Sequence, residues 1–162
     1  MRRAACLIVP SGFLQRVFGQ HGIPADIVPN IVDLSCFHPA ATRPGEPRLL
    51  VARNLEPLYD IGTALRAFVQ VLARHPQATM TVAGTGPQEA ELKSLTSRLG
   101  IAGHVSFSGR LDRNAMAELL RASSIALNPS LADNMPNSVL EALASGVPVV
   151  STDVGGVPFL VQ

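Results

Sequence analysis

Charge is scarce in this chain. Only 15% of its 162 residues are Asp, Glu, Lys or Arg, 13 basic against 12 acidic, and lysine occurs once, at Lys93. No basic run exceeds the pair Arg2-Arg3, so the electrostatic footprint of a nucleic-acid binder is missing, and a duplex or RNA partner is not expected. Cysteine is limited to Cys6 and Cys36, in different segments and away from any Cys/His cluster, which argues against a disulfide framework or a zinc site. Two small buried side chains in a reducing compartment is the simpler reading, and it points to the cytoplasm. His21, His38, His75 and His104 stand at spacings that form no ligand set, and there is no Asp-x-Asp pair to hold a divalent metal.

Long apolar runs are also absent. The run from Ala4 to Val9 stops at Pro10 with no cleavage site at signal-peptide distance. No stretch reaches the roughly 18 apolar residues of a membrane span. What is present is apolar all the same, with 47% hydrophobic residues and a mean hydropathy of +0.27, far from the disordered class. A chain of this length fits one domain that buries roughly 70% of its unfolded surface, and a two-domain enzyme needs more.

Residues 4–10 read as a buried strand, and Ser11 then opens a short helix whose Phe13/Leu14 and Val17/Phe18 pairs have helical spacing before Gly19 and Gly22. A brief extended run over 26–30 leads to residues 38–48, where Pro39, Pro44, Gly45 and Pro47 mark a linker with a boundary near residue 45. Thereafter short apolar runs at 49–52, 78–83, 104–107, 124–128 and 147–151 alternate with helical patterns such as Ile61, Ala64, Leu65, Phe68, Val69 and Leu72. Continuous apolar strands without alternation are those buried on both faces, so the pattern predicts an α/β, doubly wound, Rossmann-like parallel sheet of about five strands. In such sheets ligands bind outside the carboxyl ends of the strands. The turns that follow the strands begin at Arg53, Gly84, Ser108, Pro129 and Thr152. In the richest of them, Pro136 suits the start of a helix, leaving the free N–H groups of Asn137 and Ser138 for a phosphate or sugar oxygen. Asp133 and Glu141, eight positions apart, could then face one ligand.

A carboxylate, seven residues, Glu141, then Ala-x-Ala-x-Gly-x-Pro-Val-Val to Val150 and Gly-Gly-x-Pro to Pro158, resembles the donor half of the GT-B glycosyltransferases, most closely the retaining family 4. Residues 29–39 resemble that family's Pro-Asn-Gly-Val-Asp linker, Gly84-Thr85-Gly86-Pro87 its Gly-x-Gly-Pro turn, and Phe107-Ser108-Gly109 also fits. The likeness implies that residues 1–45 are the last strand and helix of a missing N-terminal domain plus a linker. Residues 46–162 would be the donor-binding domain, shortened at its C-terminal end. At Phe159 the family commonly has another Glu.

The resemblance also implies roles. Arg53 matches the arginine that clamps the pyrophosphate, a task suited to a planar, permanently charged fork. Asp133 stands where a Glu would contact the donor sugar, and Glu141 matches the Glu that holds the ribose hydroxyls. The backbone around Asn137, Ser138 and Val139 would cradle phosphate and sugar, that from Ser108 through Gly109 and Arg110 to Leu111 the base, and Gly84 and Gly86 would line the turn beside them. Two departures stand out. Asp133 is one methylene shorter than Glu, and the lysine usual about five residues after the arginine is absent, with Leu58 and Tyr59 nearest. Loss of that cation removes stabilisation of a leaving diphosphate, which Arg110 would have to supply.

Structural alternatives stand beside these roles. Glu141 could be a solvated helix residue, Asp133 a turn former, and Arg53 the surface partner of Glu56 or Asp60. Gly84 and Gly86 could serve only a tight turn, Asn30 and Asp33 only the geometry of the linker, and Gly155-Gly156 only positive backbone angles.

The expectation is a glycosyltransferase that takes a UDP-, GDP- or ADP-sugar without a metal or other cofactor and transfers to a glycan or lipid acceptor with retention. Its acceptor-binding N-terminal domain is missing, any peripheral membrane contact would come through that half, and the isolated chain would be inactive. The competing class is a non-catalytic nucleotide-binding module. A Rossmann oxidoreductase is disfavoured because Gly84-Thr85-Gly86 lacks the third glycine of the fingerprint. An absent partner domain would leave an exposed apolar patch near residues 1–20.

Overall fold

The structure, a computed structural model, describes residues 6–42 and 44–160. Ala4 and Ala5, the expected start of the first strand, lie outside the described residues.

Two parallel sheets are present among the described residues. In the first, β1 (Ile8–Val9) pairs with β2 (Asp26–Ile27) around α1 (Gly12–Gln20). Ser11 caps α1, its Oγ accepting from the Leu14 amide at 3.3 Å. Phe13, Leu14, Val17 and Phe18 of this helix are half-buried, which alters the expected patch. Among the described residues of this part the exposed large apolar side chains are Ile8, Ile23, Ile27, Val28, Ile31 and Leu34, so exposure there centres on residues 23–34 rather than on 6–20. Cys6 departs from the sequence reading in the same way. It is exposed at the entry to the short sheet, its Sγ 3.5 Å from an Asp26 carboxylate oxygen, while Cys36 is half-buried.

The second sheet holds the five expected strands: β3 (Arg48–Ala52), β4 (Thr79–Ala83), β5 (Val105–Gly109), β6 (Ile125–Asn128) and β7 (Val149–Ser151), all parallel in the order β5-β4-β3-β6-β7. Between them run α2 (Ile61–Arg74), α3 (Glu89–Arg98), α4 (Arg113–Arg121) and α5 (Asn137–Ala144). The doubly buried strand pattern has a direct physical basis in β3. Leu49 and Val51 join Leu65, Phe68 and Leu92 in one core, and Leu50 between them joins Leu120 and Ala142 in the other. Phe68 is fully buried, and complete burial of such a side chain contributes about 1.5–3 kcal/mol. Phe37, upstream of β3, packs into the second core with Leu50 and Ala83.

Candidate functional site

The direction of strand order reverses between β3 and β6, with β4 and β5 on one side and β7 on the other. Loops leaving two such neighbours diverge and open a crevice at their carboxyl ends. Arg53 follows β3 immediately, and the 129–136 loop follows β6.

Those two segments meet through Arg53. Its Nη2 forms an ion pair with the Asp133 carboxylate and lies 3.3 Å from Ser130 Oγ, while Nη1 lies 3.4 Å from Ser138 Oγ. Both charged side chains are only 11% exposed. The guanidinium also lies over the Tyr59 ring, 4.3 Å from Cζ to the ring centroid. Neither Glu56 nor Asp60 is the partner, so the surface-pair alternative for Arg53 is replaced by a pair across the crevice. Nε of Arg53 is buried without a hydrogen-bond partner among the described residues.

Beside this pair is an open cleft of about 340 Å³. Arg53, Gly84, Arg110, Asn137 and Ser138 line it, and of the residues not singled out for a role by sequence, Asn54, Tyr59 and Met116 do so as well. α5 begins at the cleft as expected, with Pro136 at its N-cap (φ −65°, ψ 119°). The amides of Val139 and Leu140 both donate to the Pro136 carbonyl, at 3.1 and 3.3 Å. This leaves the N–H groups of Asn137 and Ser138 at the free end of the helix.

Other sequence candidates have structural tasks. A β-carbon on Gly84 (φ +144°) would overlap the Arg53 carbonyl oxygen, and one on Gly86 would overlap the Leu55 carbonyl. These two glycines let the β4–α3 turn lie on the backbone that carries Arg53. Gly109 (φ +69°) accepts the Gly84 amide at 2.8 Å, and the Ser108 hydroxyl donates to the Gly109 carbonyl at 3.4 Å. Gly155 and Gly156 pack in the same manner against the carbonyls of Asp133 and Asn134. Val139 is buried.

The two carboxylates do not share the cleft as the eight-residue spacing allowed. Asp133 is turned onto Arg53, and Glu141 is not among the lining residues. Glu141 is half-buried, and that burial holds its carboxyl above the ordinary range, the charge of Arg113 on α4 opposing the shift. Asp33 is a turn residue, accepting from the Ser35 amide at 3.0 Å and hydroxyl at 2.6 Å, which lowers its pKa.

Sequence reasoning missed the layer beneath Arg53. Ser130, fully buried, donates to Asn128 Oδ1 at 2.9 Å, Asn128 Nδ2 donates to Ser151 Oγ at 3.0 Å, and the Thr152 hydroxyl donates to the Ser130 carbonyl at 2.6 Å. This network fixes the loop that presents Asp133. The available signal was Asn128, a polar residue ending the apolar run Ile125-Ala126-Leu127.

Among the described residues no helix is long and apolar enough to cross a membrane, and no three His, Cys, Asp or Glu side chains converge as metal ligands.

Residues 37–162 match the glycosyl transferases group 1 family. The D-inositol 3-phosphate glycosyltransferase of Nocardia farcinica is 30% identical over 165 residues, covering 92% of this chain and 37% of its own. The chain spans about a third of the length of the curated relatives it matches. Sucrose-phosphate synthase from Thermosynechococcus elongatus superposes with a TM-score of 0.87 at 25% identity, over 99% of this chain and 43% of that one. Anabaena HepE, solved in complex with UDP-glucose, gives 0.86 at 22% identity over 99% and 48%. The five-stranded sheet is therefore a GT-B-type fold, and the chain belongs to the group 1 glycosyltransferase family.

Proposed function

We propose that this chain is the donor-binding half of a retaining glycosyltransferase that takes a sugar from a nucleoside diphosphate sugar. The observation that carries the reading is the convergence of Arg53, Ser138 and the free N-terminal amides of α5 on one cleft at the switch point. A planar guanidinium and unpaired backbone N–H groups together make a site for a diphosphate. Arg53 and the start of α5 would hold the leaving diphosphate, Arg110 would add a second cation at the cleft wall, and Asp133 would reach a hydroxyl of the donor sugar. Glu141 lies outside the cleft, one turn along α5 from Asn137 and Ser138, and would hold the ribose hydroxyls of a nucleotide that extends along α5 past the diphosphate. The complex of HepE with UDP-glucose on the same fold supports a nucleotide sugar as the ligand.

Transfer with retention would have the diphosphate leave on the face from which the acceptor hydroxyl approaches, the departing oxygens serving as the nearest base. That step needs an acceptor-binding half, and residues 1–45 would be the end of it together with the linker. The acceptor would be a glycan or a lipid-linked glycan. A non-catalytic nucleotide-binding module is the second reading. Two observations favour it: Arg53 is already paired with Asp133, and no lysine lines the cleft.

Calorimetric titration of the chain with UDP, GDP and ADP tests the binding claim, which a flat response to all three would sink. Sugar transfer by the 162 residues alone would overturn the half-enzyme reading.

A further inference from the structure

Besides Arg53, the N-terminal part of the chain also holds the 129–136 loop and the start of α5. Asn30, between β2 and β3, donates from Nδ2 to the Met135 carbonyl at 3.0 Å and to Asn137 Oδ1 at 2.9 Å. Its backbone N–H points at Met135 Sδ, 3.4 Å away. Ser11, the cap of α1, donates from its hydroxyl to Asn134 Oδ1. Two segments more than a hundred residues upstream therefore clamp three of the residues just before or at the first turn of α5.

Asn137 lines the cleft. An amide whose oxygen accepts from Asn30 keeps its own two N–H donors for the other side. The same bond thus does two things: it fixes the first turn of α5, and it decides which end of the Asn137 amide the cleft receives. We infer that Asn30 is a positioning residue that ties the linker to the phosphate-and-sugar end of the site, so that seating a donor and holding the linker favour each other. The inference rests on the donor-site reading above for its consequence, but not for the contact itself. Coupling of this kind is reciprocal: a ligand that needs the ordered turn also stabilises the linker contact.

Hydrogen exchange of the ligand-free chain separates the two. In Asn30→Ala both donors are gone, and the Val139 and Leu140 amides should exchange about tenfold faster, the loss of roughly one net hydrogen bond, while the β3 amides keep their rates. Asn30→Asp has the same size but only accepts, so Asn137 would have to turn its N–H groups away from the cleft. Titration with UDP-glucose, GDP-mannose and ADP-glucose should then show each variant binding about tenfold more weakly than wild type. Wild-type exchange at Val139 and Leu140 in Asn30→Ala would overturn the inference, as would wild-type affinity in Asn30→Asp. Absence of binding by the wild-type chain to all three nucleotide sugars would remove the functional reading instead, and the exchange result would still decide the role of Asn30.

Discussion

Arg53 and Asp133 stand eighty residues apart in sequence and form an ion pair across the switch point of the sheet, each side chain nine-tenths withdrawn from water. The pair joins the loop after β3 to the loop after β6. It also occupies the guanidinium that a diphosphate would need, so a ligand must either share Arg53 with Asp133 or displace it.

Breaking this pair from one side leaves a buried charge without a partner. Arg53→Ala and Asp133→Ala should each destabilise the fold by about 3 kcal/mol, and the double variant should cost less than the sum. Urea unfolding of the three variants measures the coupling, and strict additivity would mean that the pair contributes nothing.

Gly84 and Gly19 predict opposite signs. Alanine at Gly84 meets the Arg53 carbonyl at a φ that L residues rarely adopt, and should destabilise by roughly 2–3 kcal/mol. Gly19 lies in α1, where an added β-carbon would meet nothing within 4 Å, so alanine there should stabilise by up to about 1 kcal/mol. Thermal melts of the two variants make the comparison.

Glu141 supplies a pH dependence. Its carboxyl is raised in the folded chain by burial, so between the ordinary carboxylate range and the raised value the folded state binds more protons than the unfolded one. Its contribution to stability is therefore full below the ordinary range and is lost as pH rises through the raised value. Glu141→Gln cannot ionise, and should be at least as stable as wild type near pH 7, with the advantage shrinking towards about pH 4. If Glu141 holds the ribose, the same variant binds ribonucleotides more weakly, so stability and affinity move in opposite directions. Melting curves across this pH range, paired with titrations, check both.

Leu58 is exposed, five residues after Arg53, where the family resemblance places a lysine, and its carbonyl accepts the Leu131 amide at 2.9 Å. Leu58→Lys should tighten nucleoside diphosphate binding by about three- to tenfold at low salt, and the gain should fade as salt is added. Titrations at two ionic strengths test this, and an unchanged affinity would place the missing cation elsewhere.

Much of the fold was legible because its central strand β3 is buried on both faces and reads as an unbroken apolar run, whereas the edge strand β5 alternates half-buried and exposed residues and was found from its place in the repeat. The switch-point site was legible in part, since Arg53 and the residues from Asp133 to Ser138 each occupy a turn after a strand. Their pairing was not, because strand order and not chain spacing brings β3 beside β6. Nor was the reason for Gly84 and Gly86, which depends on how closely their turn approaches the backbone of residues 53–55. Asn30 belonged to a recognisable linker motif, but its partners lie at the far end of the chain. Cys6 was misread because a two-stranded sheet is too small to bury its flank.

The proposed donor site requires that the cleft beside Arg53 receive the diphosphate of a nucleotide sugar. Calorimetric titration of UDP-glucose, GDP-mannose and ADP-glucose into the wild-type chain and Arg53→Ala, side by side, tests it most directly. Saturable one-to-one binding of at least one of them by the wild type, and its loss in the variant, is the expected result. Binding that Arg53→Ala leaves intact, or no binding by the wild type, would contradict it.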